Sequence, residues 1–174
     1  MIFTGSSVSL SEALQLSEPQ QVYRPGEIQA YSNYGTALAG YIVERISGKD
    51  YCDYVHENIL DVLGMKHTAV SSDHSDNSFV YEQMKKNASY HFFLGRPERL
   101  DIKKRNITIY PAGAVTGTLN DLMIFGEALT DESAPLFKHP ETPQTMLSGT
   151  LFFGETDIPV NSHGFFWMNF SVSV

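Results

Sequence analysis

A chain of 174 residues with 42% hydrophobic and 12% aromatic side chains is long and apolar enough for one domain with its own core, which excludes a disordered tail. Its 20 acidic and 12 basic residues give a formal charge of -8, spread along the chain rather than in blocks, so no nucleic acid and no anionic membrane surface is expected as a partner. The single Cys52 excludes an internal disulfide, no apolar run reaches the ~18 residues of a membrane span, and Met1 to Gly5 lack the basic and apolar start of a signal peptide; none of this fixes a compartment.

In chain order, Leu10, Ala13, Leu14 and Leu16, with Ser11-Glu12 near the start, predict a short helix that Pro19 ends. Arg24-Pro25-Gly26-Glu27 reads as a turn, because proline fixes φ and glycine tolerates positive φ, and it delivers Tyr31-Ser32-Asn33 to a loop-to-helix junction. From Tyr34 the apolar Leu38, Tyr41, Ile42, Val43 and Ile46 recur at helical spacing, with Gly48 where a left-handed cap belongs. A second helix is expected from Asp50 as N-cap, with Tyr51, Tyr54, Val55, Ile59 and Leu63 on one side and Gly64 as its stop. Ser47-Gly48-Lys49 would join the two as a helical pair.

Ser71 to Asn77 shows no apolar periodicity and is expected as an exposed loop, and the stretch onward to Arg105 mixes aromatics with Lys and Arg without an assignable pattern. Asn106 to Tyr110 alternates and is β-branched, as a short strand would be, until Pro111 opens a tight turn to Ala114. Thr118 and Asp121 have capping-box spacing, and Leu122, Phe125, Ala128 and Leu129 form the stripe of a third helix. Pro135 to Pro143 reads as a proline-rich loop, and Gly164 to Val172 as an aromatic strand with an unpaired edge.

Two residues could carry chemistry together. The Tyr31 phenol is a base near neutral pH only where positive charge stabilises its phenolate, and Asn33 offers both an amide donor and a carbonyl acceptor to the same space. The structural alternative for Tyr31 is a buried or half-buried aromatic that anchors the helix start. The six histidines show no metal-ligand spacing, so no metal is expected. Asp73-His74-Ser75-Asp76 has the composition of a triad without its geometry. The aromatic group Tyr90, His91, Phe92 and Phe93 is open to core packing or to a groove for an acyl or peptidic ligand.

The ordered run Pro25-Gly26, Tyr31-Ser32-Asn33-Tyr34-Gly35, Leu38 to Lys49 and Ile59 to Thr68 closely resembles the serine β-lactamase and class C penicillin-binding protein family. Tyr110-Pro111-Ala112-Gly113 leading through Thr118 and Asp121 into a helix resembles that family's Pro-Ala-Gly-Gly segment, and His163 to Trp167 the strand before its third catalytic motif. The resemblance implies an α+β fold, mainly the family's helical region with part of its antiparallel sheet, as a single partial domain over residues 1–174. It implies acyl transfer on amide, ester, β-lactam or cell-wall peptide substrates, without a cofactor. Tyr31 would be the proton-shuttling base and Asn33 the substrate-binding amide, while Ser32 fills the variable middle position. No serine is followed three residues on by lysine, and the third motif is missing, so the chain is expected to be a central fragment, inactive alone. Intact relatives would take a small-molecule or peptide substrate. A non-catalytic binding module that self-associates through an exposed sheet edge, or a fragment complemented by another chain, are the alternatives.

Overall fold

Ser9 starts the first element by a capping box: its hydroxyl accepts from the Glu12 N–H while the Glu12 carboxylate takes the Ser9 N–H, and helix α1 (Leu10–Ser17) follows. The computed structural model describes residues 8–24, 31–86, 89–93, 95–100, 107–131, 135–148 and 155–156. The expected turn at Pro25 to Glu27 and the expected strand from Gly164 to Val172 lie outside them. The chain divides into two units, Met1–Phe125 and Gly126–Val174. Among the described residues no helix is long and apolar enough to cross a membrane.

Helix α2 (Asn33–Ser47) begins at Ser32, whose hydroxyl accepts from the Gly35 N–H, and ends at Gly48 in the left-handed region at φ 70°. Its buried face differs from the expected one. Leu38, Ile42 and Ile46 are exposed, and the buried positions are the small Ala37 and Gly40. Close approach explains the choice, because a Cβ built on Gly40 would sit 2.9 Å from the Pro111 ring and 3.3 Å from the Tyr51 ring. Ala37 joins Leu10, Ala13, Leu14 and Ile109 in one core cluster.

Asp50 caps α3 (Tyr51–Val55) by accepting the Cys52 N–H. The helix continues as a π turn over His56–Leu60 and finishes as α4 (Asp61–Leu63), stopped by Gly64 at φ 70°. The periodic side chains located this helix, whereas the widened turn has no sequence signal in the apolar pattern. Leu60, Met65 and Val70 form a second core cluster, with Val55, Ile59, Ile124 and Phe125 packed against it.

Strand β1 (Thr68–Ala69) comes next, and α5 (Ser78–Lys86) then occupies part of the stretch without a readable pattern. After it β2 (Ser89–Phe93) pairs antiparallel with β3 (Arg96–Leu100), turning at Gly95 with φ 77°. The side chains of these two strands, including the aromatic group at residues 90–93, lie outside the described residues. The strand expected from Asn106 is corrected: from Ile107 the backbone makes an isolated bridge and a turn, then a 3-10 helix over Tyr110–Ala112 with Pro111 inside it. Proline's fixed φ suits that first turn, and the Ala114 N–H closes onto the Tyr110 carbonyl.

Strand β4 (Thr116–Gly117) pairs antiparallel with β1, and α6 (Leu119–Thr130) follows. Thr118 accepts the Asp121 N–H as expected, but the Asp121 carboxylate does not return the bond; it accepts from the His67 N–H at 2.7 Å and the Thr68 hydroxyl at 2.8 Å. In the second unit, the expected proline-rich loop gives way at Glu141 to α7 (Glu141–Leu147). Pro143 is tolerated there because the first-turn N–H groups have no intrahelical acceptor to lose.

Candidate active site

Ser32 is extended, with φ -144° and ψ 112°, and its role as cap sets the two residues beside it. Asn33 becomes the first residue of α2, and Tyr31 stands just outside it. The Tyr31 hydroxyl donates to Asn33 Oδ1 at 2.6 Å, and the tyrosine is 61% exposed. That exposure is more than a half-buried aromatic anchoring the helix start would show. The Ser32 hydroxyl is spent on the helix cap, in keeping with a middle residue that is not a nucleophile.

What fixes α2 lies about three turns further on. Glu44 Oε1 accepts from the Tyr51 N–H at 3.1 Å and from the Tyr110 hydroxyl at 3.3 Å, so one carboxylate ties α2 to α3 and to the Pro-Ala-Gly segment. The Tyr51 and Tyr110 rings meet edge to face at 5.9 Å. Burial, then the neighbouring Cys52, Asp50 and Glu44, pushes the Tyr110 hydroxyl above the usual phenol range. It acts as a proton donor to Glu44 rather than as a base.

Cys52 is no substitute for the missing serine. Burial, followed by the carboxylates of Asp50 and Asp76, pushes its thiol up to about 12, so the nucleophilic thiolate is scarce at neutral pH. The loop from Ser71 to Asn77 gives no triad either. His74 is buried at φ 61°, and its Nε2 lies 2.9 Å from the Thr116 hydroxyl. His56 Nε2 meets Asp76 Oδ2 at 2.8 Å, while the Asp76 carboxylate also accepts from the Val70 N–H and the Ser71 hydroxyl. The loop expected to be simply solvated is therefore an organised one, and its aspartate holds two elements together.

Among the described residues, two cavities in the first unit bear on the site. One, of about 440 Å³, has apolar walls from Val55, Ile59, Val115, Leu119, Leu122 and Phe125. The other, of about 460 Å³, is polar and reaches Glu44, Asp50, Asp73, Asp76 and Tyr110. Tyr31 and Asn33 line neither of these two; Tyr31 is exposed and Asn33 half-buried. The bonds of His56 with Asp76, Glu44 with Tyr110 and Asp121 with His67 were not legible in sequence, because the partners lie 20 or more positions apart.

The pattern of the Beta-lactamase family matches residues 11–172, nearly the whole chain, and the chain belongs to that family. The octameric penicillin-binding protein homologue from Pyrococcus abyssi superposes with a TM-score of 0.66 at 20% identity, covering 90% of this chain and 34% of that one. The D-amino acid amidase from Ochrobactrum anthropi SV3, in its complex with L-phenylalanine amide, gives 0.66 at 26% identity over 93% of this chain and 46% of its own. A probable hydrolase of Cochliobolus lunatus is 31% identical over 67 residues, 38% of this chain and 11% of that protein. The fold is thus that of β-lactamases and penicillin-binding proteins, α+β with small antiparallel strand pairs. The chain is a hydrolase-like domain of this family that spans less than half the length of these relatives.

Proposed function

We propose that this chain is the Tyr-x-Asn-bearing part of a serine hydrolase that transfers acyl groups from amide, ester, β-lactam or cell-wall peptide substrates. The observation that carries the reading is the Tyr31–Asn33 pair, bonded at 2.6 Å and displayed at the capped start of α2. Tyr31 would move the proton between nucleophile and leaving group, and Asn33 would hold the substrate's amide. Likeness to an amidase supports amides as one substrate class. The serine and the lysine that would stabilise a Tyr31 phenolate belong to a Ser-x-x-Lys motif absent from these 174 residues, so the chain is inactive alone.

Incubation with a fluorescent penicillin tests this directly. The chain alone is expected to stay unlabelled, and a covalent adduct would overturn its inactivity. In-frame Ser-x-x-Lys upstream and Lys/His-x-Gly downstream in the coding DNA, joined to this chain, should yield a protein that is labelled. There Tyr31→Phe should slow labelling by roughly 10²–10⁴-fold, the usual worth of a positioned proton-transfer group. An unchanged rate would remove Tyr31 from the mechanism.

A second reading, a module completed by another polypeptide, is favoured by the exposed apolar side chains Leu119, Leu122 and Met123 of α6. Their burial in a stable one-to-one complex, with penicillin labelling only in that complex, is the result expected from it.

A further inference from the structure

We propose that the apolar trough between α3 with its π turn and α6 is a binding site for an uncharged hydrocarbon ligand, about two to three times the size of benzene. The trough holds about 440 Å³, against about 150 Å³ for a protein cavity that takes up benzene. Neither Tyr31 nor Asn33 lines it, so the site stands apart from acyl transfer.

The π turn builds one wall. Its bonds close five residues on, as the Asp61 N–H does on the His56 carbonyl, and this brings Val55 and Leu60 onto the side that Ile59 also faces. Helix α6 adds Leu119, Leu122 and Phe125, and Thr68 and Val70 come from β1 and the residue after it. Leu60, Thr68 and Val70 are buried, whereas Val115, Leu119 and Leu122 are exposed, so the trough has a closed floor and a mouth open to solvent.

The chemistry of the walls selects the ligand. Among the described residues that line the trough there is no Asp, Glu, Lys, Arg or His. The Thr68 hydroxyl donates to Asp121 Oδ2 at 2.8 Å and the Thr118 hydroxyl accepts the Asp121 N–H at 3.3 Å, so both are engaged by a residue that does not line it. Burial, then the neighbouring Cys52, pushes the Tyr51 hydroxyl above the usual phenol range, which keeps that side chain neutral. A charged head group finds no counter-ion in such walls, and an anion also meets the field of a chain whose formal charge is -8. An uncharged hydrocarbon instead gains by leaving water, in proportion to the apolar area it covers.

Methyl resonances of the 13C-labelled full chain, titrated near neutral pH with 1-decanol and with sodium decanoate, provide the test. Decanol is expected to shift the Leu60 and Val70 methyls of the floor saturably and to leave those of Ile42 and Ile46 on α2 in place. Decanoate should bind roughly tenfold more weakly or worse, for want of a counter-ion. Leu122→Lys puts a cation at the exposed mouth, where stability should change little; it should weaken decanol severalfold and bring decanoate level with it or past it. If that variant loses the dispersed spectrum of the folded chain, Val115→Lys, also at the mouth, takes its place. Floor methyls that ignore decanol, equal shifts on Ile42 and Ile46, decanoate as tight as decanol, or a lysine variant with the native preference would each overturn the proposal. So would floor methyls that move with protein concentration alone and that decanol does not return, since a second copy would then fill the trough.

Discussion

At the scale of single residues, the interactions that organise this chain are those of buried acceptors with several donors. Asp121 is 2% exposed and receives the His67 N–H and the Thr68 hydroxyl on one oxygen. Removing the carboxylate would leave both donors unsatisfied near α6, which costs roughly 2–4 kcal/mol by the desolvation of such groups. Asp121→Ala should therefore lower the urea midpoint markedly, and Asp121→Asn, which keeps an acceptor oxygen, should recover part of the loss. Equal loss in the two variants would show that the hydrogen bonds are not what matters.

Asp76 makes a related prediction about acid. Burial would raise its pKa, but the hydrogen bonds from the Ser71 hydroxyl, the Val70 N–H and His56 outweigh it, and the net direction is down from 3.8. A carboxyl whose folded pKa is depressed adds stability above its unfolded pKa, and that stability disappears as pH falls through the folded value. Unfolding monitored from pH 6 down through about 4 and below should show this loss in the native sequence. Asp76→Asn should be less stable at neutral pH and flatter across the same window; a parallel acid profile would exclude Asp76 as a contributor.

At the scale of elements, local signals and tertiary contacts divide the work. Helix starts and stops were legible because Asp50, Gly48, Gly64 and Thr118 act on groups within four residues of themselves. The buried face of α2 was not legible, since apolar periodicity points to Leu38, Ile42 and Ile46, whereas contact with Pro111 requires the small Gly40. The strand expected before Pro111 failed for a similar reason: β-branched residues there fill a core cluster from a turn, as Ile109 does. Of the contacts around the candidate site, Tyr31 and Asn33 are neighbours in sequence and their bond is local, whereas Glu44 and Tyr110, which anchor the same helix, are 66 positions apart and gave no signal.

Gly40 tests that division. An added methyl would come within 2.9 Å of Pro111, so Gly40→Ala should destabilise by roughly 1–3 kcal/mol through overpacking, although alanine has the better helix propensity. Leu38→Ala, at an exposed position of the same helix, should change little. If Gly40→Ala instead raises the melting temperature, close packing of α2 on the Pro-Ala-Gly segment is not tight enough to require glycine.

At the scale of the whole molecule, a net charge of -8 opposes the attraction of apolar side chains exposed on α2 and α6. Ile42 and Ile46 are 49% and 82% exposed on one face of α2, so burying them against another surface is favourable, whereas like charges repel approaching copies. The repulsion is screened over about 8 Å at physiological ionic strength, while the apolar attraction is not. Sedimentation should accordingly show a mean mass that rises with protein concentration and rises further with salt. The double variant Ile42→Glu and Ile46→Glu should reduce both dependences while altering folding stability by no more than about 0.5 kcal/mol per site, as expected for exposed positions. Salt-insensitive monomers in the native sequence would mean that these side chains remain in water without consequence, and association unchanged in the double variant would place the contact elsewhere on the surface.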